Sequence, residues 1–566
     1  MKKLLYTISL MFLGMSMTQG QSNQSSQSSN LENAEVVIEK ESSFELPIMS
    51  REYGKIEKIK RKNQRIPQEY ELELITLDVE DSLPKQLPAV LDNREEKKFY
   101  DKYVRAGLGN YLTPYLEAGI NNNRNPDFDY GLKLYHKSSQ EGSVYKKLSA
   151  ESHNSFDAFG TYYSDYGQSK VGLNYNRIGT HFYGFEGDET LVTQDSIKQI
   201  IQNISFNASH EMPAYLTGNS YSLKGGLLFD YTFDHFDASE FQVGIDISGD
   251  YHLDEESKIS GFVEGAYNQY KNTTTTAVEV SENRSWAKFG GNYQTRIDEW
   301  YVKAGVQMAY SADSNSNDKG FYFYPDVMVE YTITEDELAA FLQVKGGLKM
   351  VQYKTLSELN PWLSNDVNLL HENNIVDIEA GVDAILLESI GIRGTLGYSI
   401  SQNMGFLVND PNDVSKFLML YATDGNTGVF KMDIAGTWTK REWTVKAEAK
   451  VNAYSVSDST VQKAYHRPVS ENSVTVSYKY LSNWTFGAVI YNKIGITALE
   501  IDPTTGVRSD VSLPVIFDMN LTAQYKINDN FGAFALVNNL FSQKYENYYR
   551  YNVKGFQLLA GVSYRF

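Results

Sequence analysis

The final segment of the chain, GFQLLAGVSYRF, alternates between apolar and small or polar residues up to its last position. Because successive side chains of a β-strand point to opposite faces, this pattern predicts a strand with one continuously apolar face. A soluble sheet with one buried face gives the same pattern, so the number of repeats along the chain decides between the two. The apolar face carries Phe556, Leu558, Ala560, Val562, Tyr564 and Phe566.

The same alternation recurs through the C-terminal four-fifths of the chain, for example in WTVKAEAKVNAY (443–454) and FDMNLTAQY (517–525). Segments of about ten residues with this pattern are typical of transmembrane β-barrels. The apolar faces are often Ala, Val or Gly bounded by aromatic residues, which would pack a soluble core poorly. We therefore expect polar side chains to face a lumen, where they line a channel, bind a filler or hydrate a polar interior: Lys446, Glu448, Lys450 and Asp518.

Short connections such as LSN (481–483) alternate with long ones such as SVSDSTVQKAYHRPVS (455–470) and NTTTTAVEVSENRS (272–285). This alternation indicates an outer-membrane barrel with tight periplasmic turns and long surface loops. We predict an all-β, antiparallel, up-and-down barrel over residues 98–566, with about 22 strands, an even number between 18 and 22, and both termini periplasmic. Because a sheet in hydrocarbon cannot leave its edges unpaired, the first strand, YVRAGLGN (103–110), must pair with the last.

The N-terminus begins with Lys2 and Lys3, followed by a short apolar stretch and small residues. This pattern predicts a secretory signal peptide over residues 1–20 and a mature protein outside the cytoplasm. Residues 21–97 are polar and then carry alternating basic and acidic blocks, a composition typical of a solvated arm. We expect this arm to remain a linker, to fill the lumen, or to bind a periplasmic or outer-membrane protein partner.

The composition excludes several kinds of chemistry. A net charge of −19 argues against a nucleic-acid partner, and the absence of cysteine removes thiolate catalysis and Cys-ligated metals.

SHNS (152–155) has the residue types of a barrel hydrolase, but we expect it in an exposed loop, so we predict no enzyme. DSNSND (313–318) begins like a calcium loop but lacks its glycine and final glutamate. We expect no cofactor and no resident metal.

The closing stretch FGAFALVNNLFSQKYENYY, followed by GFQLLAGVSYRF, resembles the last two strands of TonB-dependent receptor barrels. The residues that carry this resemblance are Asn539, Leu540, Phe541 and Tyr545, and the terminal Phe566 resembles the signal read by the barrel-insertion machinery. The resemblance implies an outer-membrane location and lipid contact in a Gram-negative bacterium. Members of the family also carry a plug domain. Only about 75 residues separate Gln21 from Phe99, fewer than a compact domain typically needs.

Two functions follow from this reading. The first is a plugless channel or receptor for solute uptake across the outer membrane. The alternative is a barrel that transports nothing and serves a larger outer-membrane assembly, for example one that secretes proteins or inserts barrels. A barrel of this width needs its lumen filled. The candidates are the 21–97 arm, in-folded loops such as KTLSELNPWLSNDVNLLHENN (354–374), or a partner protein.

Overall fold

The computed structural model describes residues 102–122, 125–214, 220–273, 278–313, 320–387 and 389–566. The signal peptide and the 21–97 arm lie outside these residues, so both remain predictions. The first half of the described chain contains β1 (Lys102–Gly109), β2 (Thr113–Asn121), β3 (Phe128–Ser139), β4 (Glu151–Ser164), β5 (Gly167–His181), β6 (Lys198–Met212), β7 (Tyr221–Phe233), β8 (Ser239–His252), β9 (Ser257–Thr273), β10 (Glu279–Ile297), β11 (Trp300–Asp313) and β12 (Gly320–Thr334).

The second half continues the same arrangement and adds a single α-helix among the described residues. Its elements are β13 (Leu338–Lys349), α1 (Tyr353–Leu359), β14 (Glu372–Leu386), β15 (Ile390–Asn409), β16 (Phe417–Lys440), β17 (Trp443–Val456), β18 (Ser470–Tyr480), β19 (Trp484–Ile494), β20 (Thr497–Ile501), β21 (Arg508–Ser512), β22 (Ile516–Lys526), β23 (Phe531–Asn538) and β24 (Gln557–Arg565). Short 3₁₀ turns lie at Lys146–Ser149, Glu189–Leu191 and Gln194–Ile197.

All strands except β20 and β21 form one 22-stranded sheet, in which each strand pairs with the next along the chain. The sheet closes because β1 pairs antiparallel with β24, in a register that sets Tyr103 opposite Arg565 and Gly109 opposite Leu559. β20 and β21 form a separate hairpin between β19 and β22. The predicted all-β fold, the strand number and the pairing of first and last strands are confirmed.

The outer wall of the barrel is apolar and exposed. On β24, Val562 is 59% exposed and Leu558 42% exposed, whereas the intervening Leu559 is buried among Tyr115 and Tyr135. In water such a large apolar exterior would be unfavourable, since monomeric soluble proteins rarely expose large contiguous apolar patches. A lipid bilayer is the solvent that this wall fits.

The two ends of the barrel differ in their connections. One end, the turn rim, has tight connections such as 165–166, 298–299 and 441–442, together with Lys102 and Phe566. The other end, the loop rim, has the long connections 182–197, 350–371, 495–515 and 539–556. The prediction of a long surface loop at 272–285 is wrong. β9 and β10 extend through most of this segment, and Glu279 pairs with Thr273. Those residues alternate well enough to prolong both strands.

Aromatic pairs mark the turn rim. Trp300 stands against Tyr331 at 4.6 Å between ring centroids, Trp443 stacks on Tyr478 at 4.1 Å, and Trp484 lies 4.5 Å from Tyr525. Each tryptophan is the first residue of its strand, and exposed aromatic girdles of this kind mark the membrane interface of transmembrane barrels. Among the described residues, no helix is long and apolar enough to span a membrane.

Candidate functional site: the closed loop rim

The connection between β13 and β14, residues 350–371, folds inward across the loop rim, and we call it the cross-barrel loop. Most of its apolar side chains are buried: Tyr353 and Leu369 have no exposed surface, and Trp362 is 2% exposed. A surface loop normally lies in solvent because its backbone polar groups need partners. Here those partners are supplied by the barrel wall and by other loops of the same rim. Of the three fillers expected, the in-folded loop is the one that the described residues contain.

Trp362 joins opposite sides of the barrel. Its indole Nε1 donates to the carbonyl of His181 at the end of β5, at 2.9 Å. Its own carbonyl accepts from the backbone N–H of Phe417 at the start of β16, also at 2.9 Å. β5 and β16 lie half-way round the 22-stranded sheet from each other, so one residue of the loop bridges the lumen.

A carboxylate of the barrel wall caps the N-terminus of helix α1. Glu240 of β8 is 3% exposed, and its two oxygens accept from the backbone N–H groups of Tyr353 and Lys354, each at 2.9 Å. The first N–H groups of a helix have no partner within the helix, so this carboxylate satisfies two of them. A carboxylate at a helix N-terminus also interacts favourably with the helix dipole. A short helix with no capping side chain of its own is thereby fixed to β8.

Further polar contacts anchor the same part of the loop. Lys354 Nζ forms a 2.6 Å ion pair with Asp230 of β7, and the hydroxyl of Tyr353 donates to Asp234 at 2.9 Å. On β10, Arg284 is fully buried and donates to the carbonyl of Val351 at 2.5 Å. A buried guanidinium that binds backbone carbonyls holds the loop through charge-assisted hydrogen bonds, which are stronger than neutral ones.

An aromatic cluster joins several connections of the loop rim. Trp362 stacks on Tyr551 of the 539–556 connection at 4.0 Å between ring centroids, and Tyr551 meets Tyr183 edge-on at 4.8 Å. Tyr551 donates its hydroxyl to the carbonyl of Ser415, and Phe417 has no exposed surface. Apolar contact between three different connections excludes water where the polar anchors alone would not.

The residues of the TonB-receptor resemblance organise the start of the 539–556 connection. Asn539 has a left-handed backbone, φ 48°, and its side chain donates to the carbonyls of Gln543 and Lys554 at 2.8 and 2.9 Å. Leu540 donates its backbone N–H to Met519 at 2.9 Å. Phe541 is exposed on the wall, where it stacks on Phe517 at 5.7 Å.

The structure brings two sequence-predicted residues into direct contact. Asp518 is fully buried and accepts from the hydroxyls of Tyr545 at 2.8 Å and Tyr491 at 3.0 Å. The two hydroxyl oxygens are themselves 2.6 Å apart. Asp518 therefore joins β22, β19 and the 539–556 connection. Nothing in the spacing of Asp518 and Tyr545 along the sequence predicted that they meet.

The other predicted lumen residues lie together on one face of β17. The register sets Lys446 opposite Thr475 and Lys450 opposite Glu471, with Glu448 between them on the same face. The outer-wall set at the closing strand is exposed as a group: Phe556, Leu558, Val562, Tyr564 and Phe566. Their role as a signal for the insertion machinery stays a prediction.

Two titratable groups of the loop rim are held in their neutral forms. Burial lowers the pKa of His466 to about 4, although its Nδ1 donates to the carbonyl of Leu407 at 2.8 Å. Burial raises the pKa of Glu546 to about 8, against the opposing effect of the Arg550 backbone N–H. Both groups stay neutral near pH 7 because their packing excludes the water that a charge requires.

We expected SHNS (152–155) in an exposed loop, and this expectation is wrong. The four residues are part of β4. His153 contacts Tyr135, a member of an internal cluster, and its Nε2 lies 2.8 Å from Asn176. DSNSND extends beyond β11 into residues that the structure does not describe. Within the described ranges, no group of three or more His, Asp or Glu side chains is arranged to hold a metal ion.

The wall residues that anchor the cross-barrel loop, Glu240 and Arg284 above all, were not singled out from the sequence. Each sits at an ordinary polar position of an alternating strand, and dozens of such positions exist. The only available signal was in the loop itself, because Tyr353, Trp362 and Leu363 make it unusually apolar for a surface connection. That signal marks a buried loop but says nothing about which strands receive it.

No protein-family model matches the chain, and no curated protein matches it. Its fold is similar to those of solved receptor barrels. The FrpB iron transporter of Neisseria meningitidis (F3-3 variant) superposes with a TM-score of 0.65 at 11% identity, over 83% of this chain and 82% of that chain. The ferric-catecholate import receptor Fiu of Escherichia coli K12 gives 0.61 at 9% identity, over 82% of each chain.

The pyoverdine outer-membrane receptor FpvA of Pseudomonas aeruginosa PAO1 gives a TM-score of 0.62 at 12% identity, over 82% of this chain and 78% of that chain. At these identities the likeness establishes the fold alone. That fold, a closed 22-stranded barrel with an apolar exterior, agrees with the outer-membrane location that the sequence indicates.

Proposed function

We propose that this protein is an outer-membrane, receptor-like barrel that admits a solute through a lumen closed by its own cross-barrel loop. The observation that carries the proposal is Trp362, which binds His181 and Phe417 on opposite sides of the barrel. Wide barrels need a closure, since an open lumen would pass ions and small solutes. In this reading residues 350–371 take over, at the loop rim, part of what a plug domain does elsewhere.

Opening of the lumen requires the cross-barrel loop to move away from the barrel wall. The contacts to be broken are mostly hydrogen bonds from loop backbone and side chains to the wall, such as those of Tyr353 and Lys354 to Glu240. Water can replace such hydrogen bonds one at a time, at a net cost of about 1.5–3 kcal/mol each where one partner is charged. The stacked contact of Trp362 on Tyr551 has no such substitute, so we propose that it sets the main barrier to opening.

The 21–97 arm adds a second element. The described chain begins with Lys102 at the turn rim, so the preceding residues are tethered at the end of the barrel opposite to the cross-barrel loop. We propose that the arm either fills the lumen from the turn rim or binds a partner protein there. Two closures in series would make the barrel tight even when one of them moves.

The nature of the solute is suggested by the similar structures. They are an iron transporter, a ferric-catecholate import receptor and a pyoverdine receptor. An iron chelate is therefore the first solute class to test, in a transport assay with the purified barrel in liposomes. Uptake through this route needs no catalytic group and no resident cofactor.

Conductance in planar bilayers tests the proposal with four proteins: the mature chain, a variant with 350–371 replaced by a short Gly-Ser turn, a variant without 21–97, and the double variant. We expect low conductance from the mature chain and a large, ohmic conductance from the double variant. Which single variant opens the pore identifies the tighter closure.

No current from the double variant, in a protein that still migrates as a folded barrel, would contradict transport. Stoichiometric co-purification with another outer-membrane protein in mild detergent would then favour the assembly alternative. A single species in mild detergent together with an open double variant would exclude that alternative.

A further inference from the structure

A cluster of polar side chains on the outer wall brings a serine, a histidine and an asparagine together on β3 and β4. On β3, the Oγ of Ser138 lies 3.3 Å from Nε2 of His136. The other ring nitrogen of His136, Nδ1, lies 2.7 Å from Oδ1 of Asn154 on β4. Because the amide oxygen can only accept, it fixes the proton on Nδ1 and leaves the Nε2 lone pair directed to the serine. A hydroxyl, an imidazole and an orienting group in this order are the parts of a nucleophile with its general base.

The cluster faces outward rather than into the lumen. His136 pairs across the sheet with Leu116 of β2, which is 45% exposed on the wall. Two residues earlier on the same face of β3 stands Leu134, 51% exposed. The intervening Tyr135 points the other way, into a buried cluster with Tyr115.

The height of the cluster on the wall is defined by its neighbours. Following β3 from the turn rim, the outer face is apolar through Leu132 and Leu134 and becomes polar at His136. Asn154 and Phe156 make the same change on β4, and register sets Phe156 opposite Leu134. Along β3 and β4 the polar cluster therefore begins where the apolar band ends, whereas Leu116 of β2, opposite His136, is still apolar. In a bilayer this is the depth at which the ester groups of a membrane lipid lie.

A cavity with more basic than acidic side chains lies close to the serine, although Ser138 itself does not line it. Ser152 stands directly opposite Ser138 in the β3–β4 pair, and its Oγ accepts from Nη1 of Arg177 at 3.1 Å. Ser152, Arg177 and Gly179 line a cavity of about 320 Å³, to which Lys147, Lys198 and one carboxylate, that of Glu151, also contribute. A Cβ at position 179 would come within 2.6 Å of the Ser152 hydroxyl, so the glycine keeps this part of the cavity open.

We propose that Ser138 and His136 form a hydrolytic site for carboxylic esters of membrane phospholipids, with Asn154 as its positioning residue. The acyl chains would lie along Leu134 and Phe156. The ester carbonyl would meet Ser138, and the phosphate would enter the cavity beside Arg177. Guanidinium and ammonium groups are the side chains that bind phosphate most strongly, which assigns the head group to that side.

The reaction is an acyl transfer in two steps. The Ser138 Oγ–H proton passes to Nε2 of His136 while Oγ forms a bond to the ester carbonyl carbon. The bond from that carbon to the alkoxy oxygen breaks, and the departing lysolipid oxygen takes the proton from His136. Water then attacks the acyl-serine with His136 again as base, which releases a fatty acid and restores the serine. No co-reactant other than the lipid and water is required.

The chain offers a matched control. On the outer wall near the turn rim, the Oγ of Ser169 lies 2.8 Å from Nδ1 of His210, a shorter serine–histidine contact than that of Ser138. Within the described residues, no amide or carboxylate orients the His210 ring. The proposal therefore predicts reactivity at Ser138 and none at Ser169, although distance alone would predict the reverse.

The test uses the full-length protein purified in non-ionic detergent and a fluorophosphonate–rhodamine probe that labels activated serines. We expect labelling of the wild type and of Ser169→Ala, and its loss in Ser138→Ala. With phosphatidylethanolamine vesicles, Ser138→Ala should lower fatty-acid release by about 100-fold or more. Asn154→Leu should lower kcat, and Asn154→Asp, which keeps the acceptor oxygen, should restore most of it.

Heat-modifiable migration on gels establishes that each variant still forms the barrel. Equal labelling of Ser138→Ala and wild type, or a wild type that neither labels nor releases fatty acid, would overturn the proposal. Hydrolysis of soluble 4-nitrophenyl acetate without lipid turnover would overturn the assignment to membrane lipids. The site lies on the outer wall, so none of these outcomes depends on whether the lumen conducts.

Discussion

In the barrel wall, a side chain's role depends on whether its position along the strand is odd or even, whereas in the cross-barrel loop it depends on contacts with residues far away in the sequence. Val562 is exposed to lipid because its neighbours alternate, and the other strands of the wall follow the same rule except at bulges, such as those between Lys345 and Gly347 and between Gln402 and Met404. Trp362 is buried because His181, Phe417 and Tyr551 meet it from three other parts of the chain. The wall is therefore tolerant of substitutions that keep the pattern, and the loop is not.

The largest effect is expected at the centre of the loop. Trp362→Ala removes the ring stacked on Tyr551 and the indole donor to His181, which should weaken closure of the loop by about 3–5 kcal/mol. Hydrogen exchange of residues 350–371 measures this, and bilayer conductance should rise in parallel. Leu359→Ala is the control, because Leu359 belongs to the same loop but is 52% exposed. Equal exchange in the two variants would show that the tryptophan is not the main anchor.

The free-energy cost of a charged substitution in the wall should depend on which face of the strand carries it. Val562→Arg places a guanidinium on the lipid side of β24 and should cost roughly 2–4 kcal/mol near the bilayer midplane. Ser563→Arg, one residue further on the other face, should cost little. Folding into lipid vesicles, followed through a denaturant titration, gives both free energies. Similar costs for the two variants would mean that the faces of β24 have been assigned wrongly.

A smaller effect is expected where the loop is fixed to the wall. Glu240→Gln replaces one of the two oxygens that accept from Tyr353 and Lys354 with an NH₂ group, leaving one backbone N–H without its partner. The loss should be about 1–3 kcal/mol in the closing of α1, read from local hydrogen exchange. Glu255→Gln, at an exposed turn, should leave the exchange of α1 unchanged.

The smallest effect concerns pH. Because burial raises the pKa of Glu546 to about 8, the 539–556 connection binds a proton that its open form, titrating near the ordinary value of 4.5, releases. The stabilising contribution is complete below that ordinary value and decreases as pH rises towards 8. Between pH 7 and pH 8 the loss should be about 1 kcal/mol. Glu546→Gln should abolish this dependence in hydrogen exchange of residues 539–556. A wild type whose exchange protection does not change between pH 7 and pH 8 would refute it.

The sequence was sufficient for the wall because a period of two is a local property that each segment carries by itself. It predicted the strand number, the closure of β1 on β24 and the exposed face of the last strand. It was misleading at 272–285 and 152–155, where polar residues suggested loops, although polar residues are equally compatible with strands that extend beyond the apolar band. The contacts of Asp518 with Tyr545, and of Glu240 with α1, could not be predicted, because each joins positions whose proximity exists only after the barrel has closed.

The antiparallel pairing of β1 with β24 has a consequence for how this molecule can change in size. If any single strand were lost, the remaining neighbours at that place would run in the same direction, and their tight turn could no longer connect them. Growth or shrinkage of the cylinder must therefore proceed by whole hairpins, two strands at a time. A deletion that removes one strand alone would break the antiparallel pairing at one place in the cylinder.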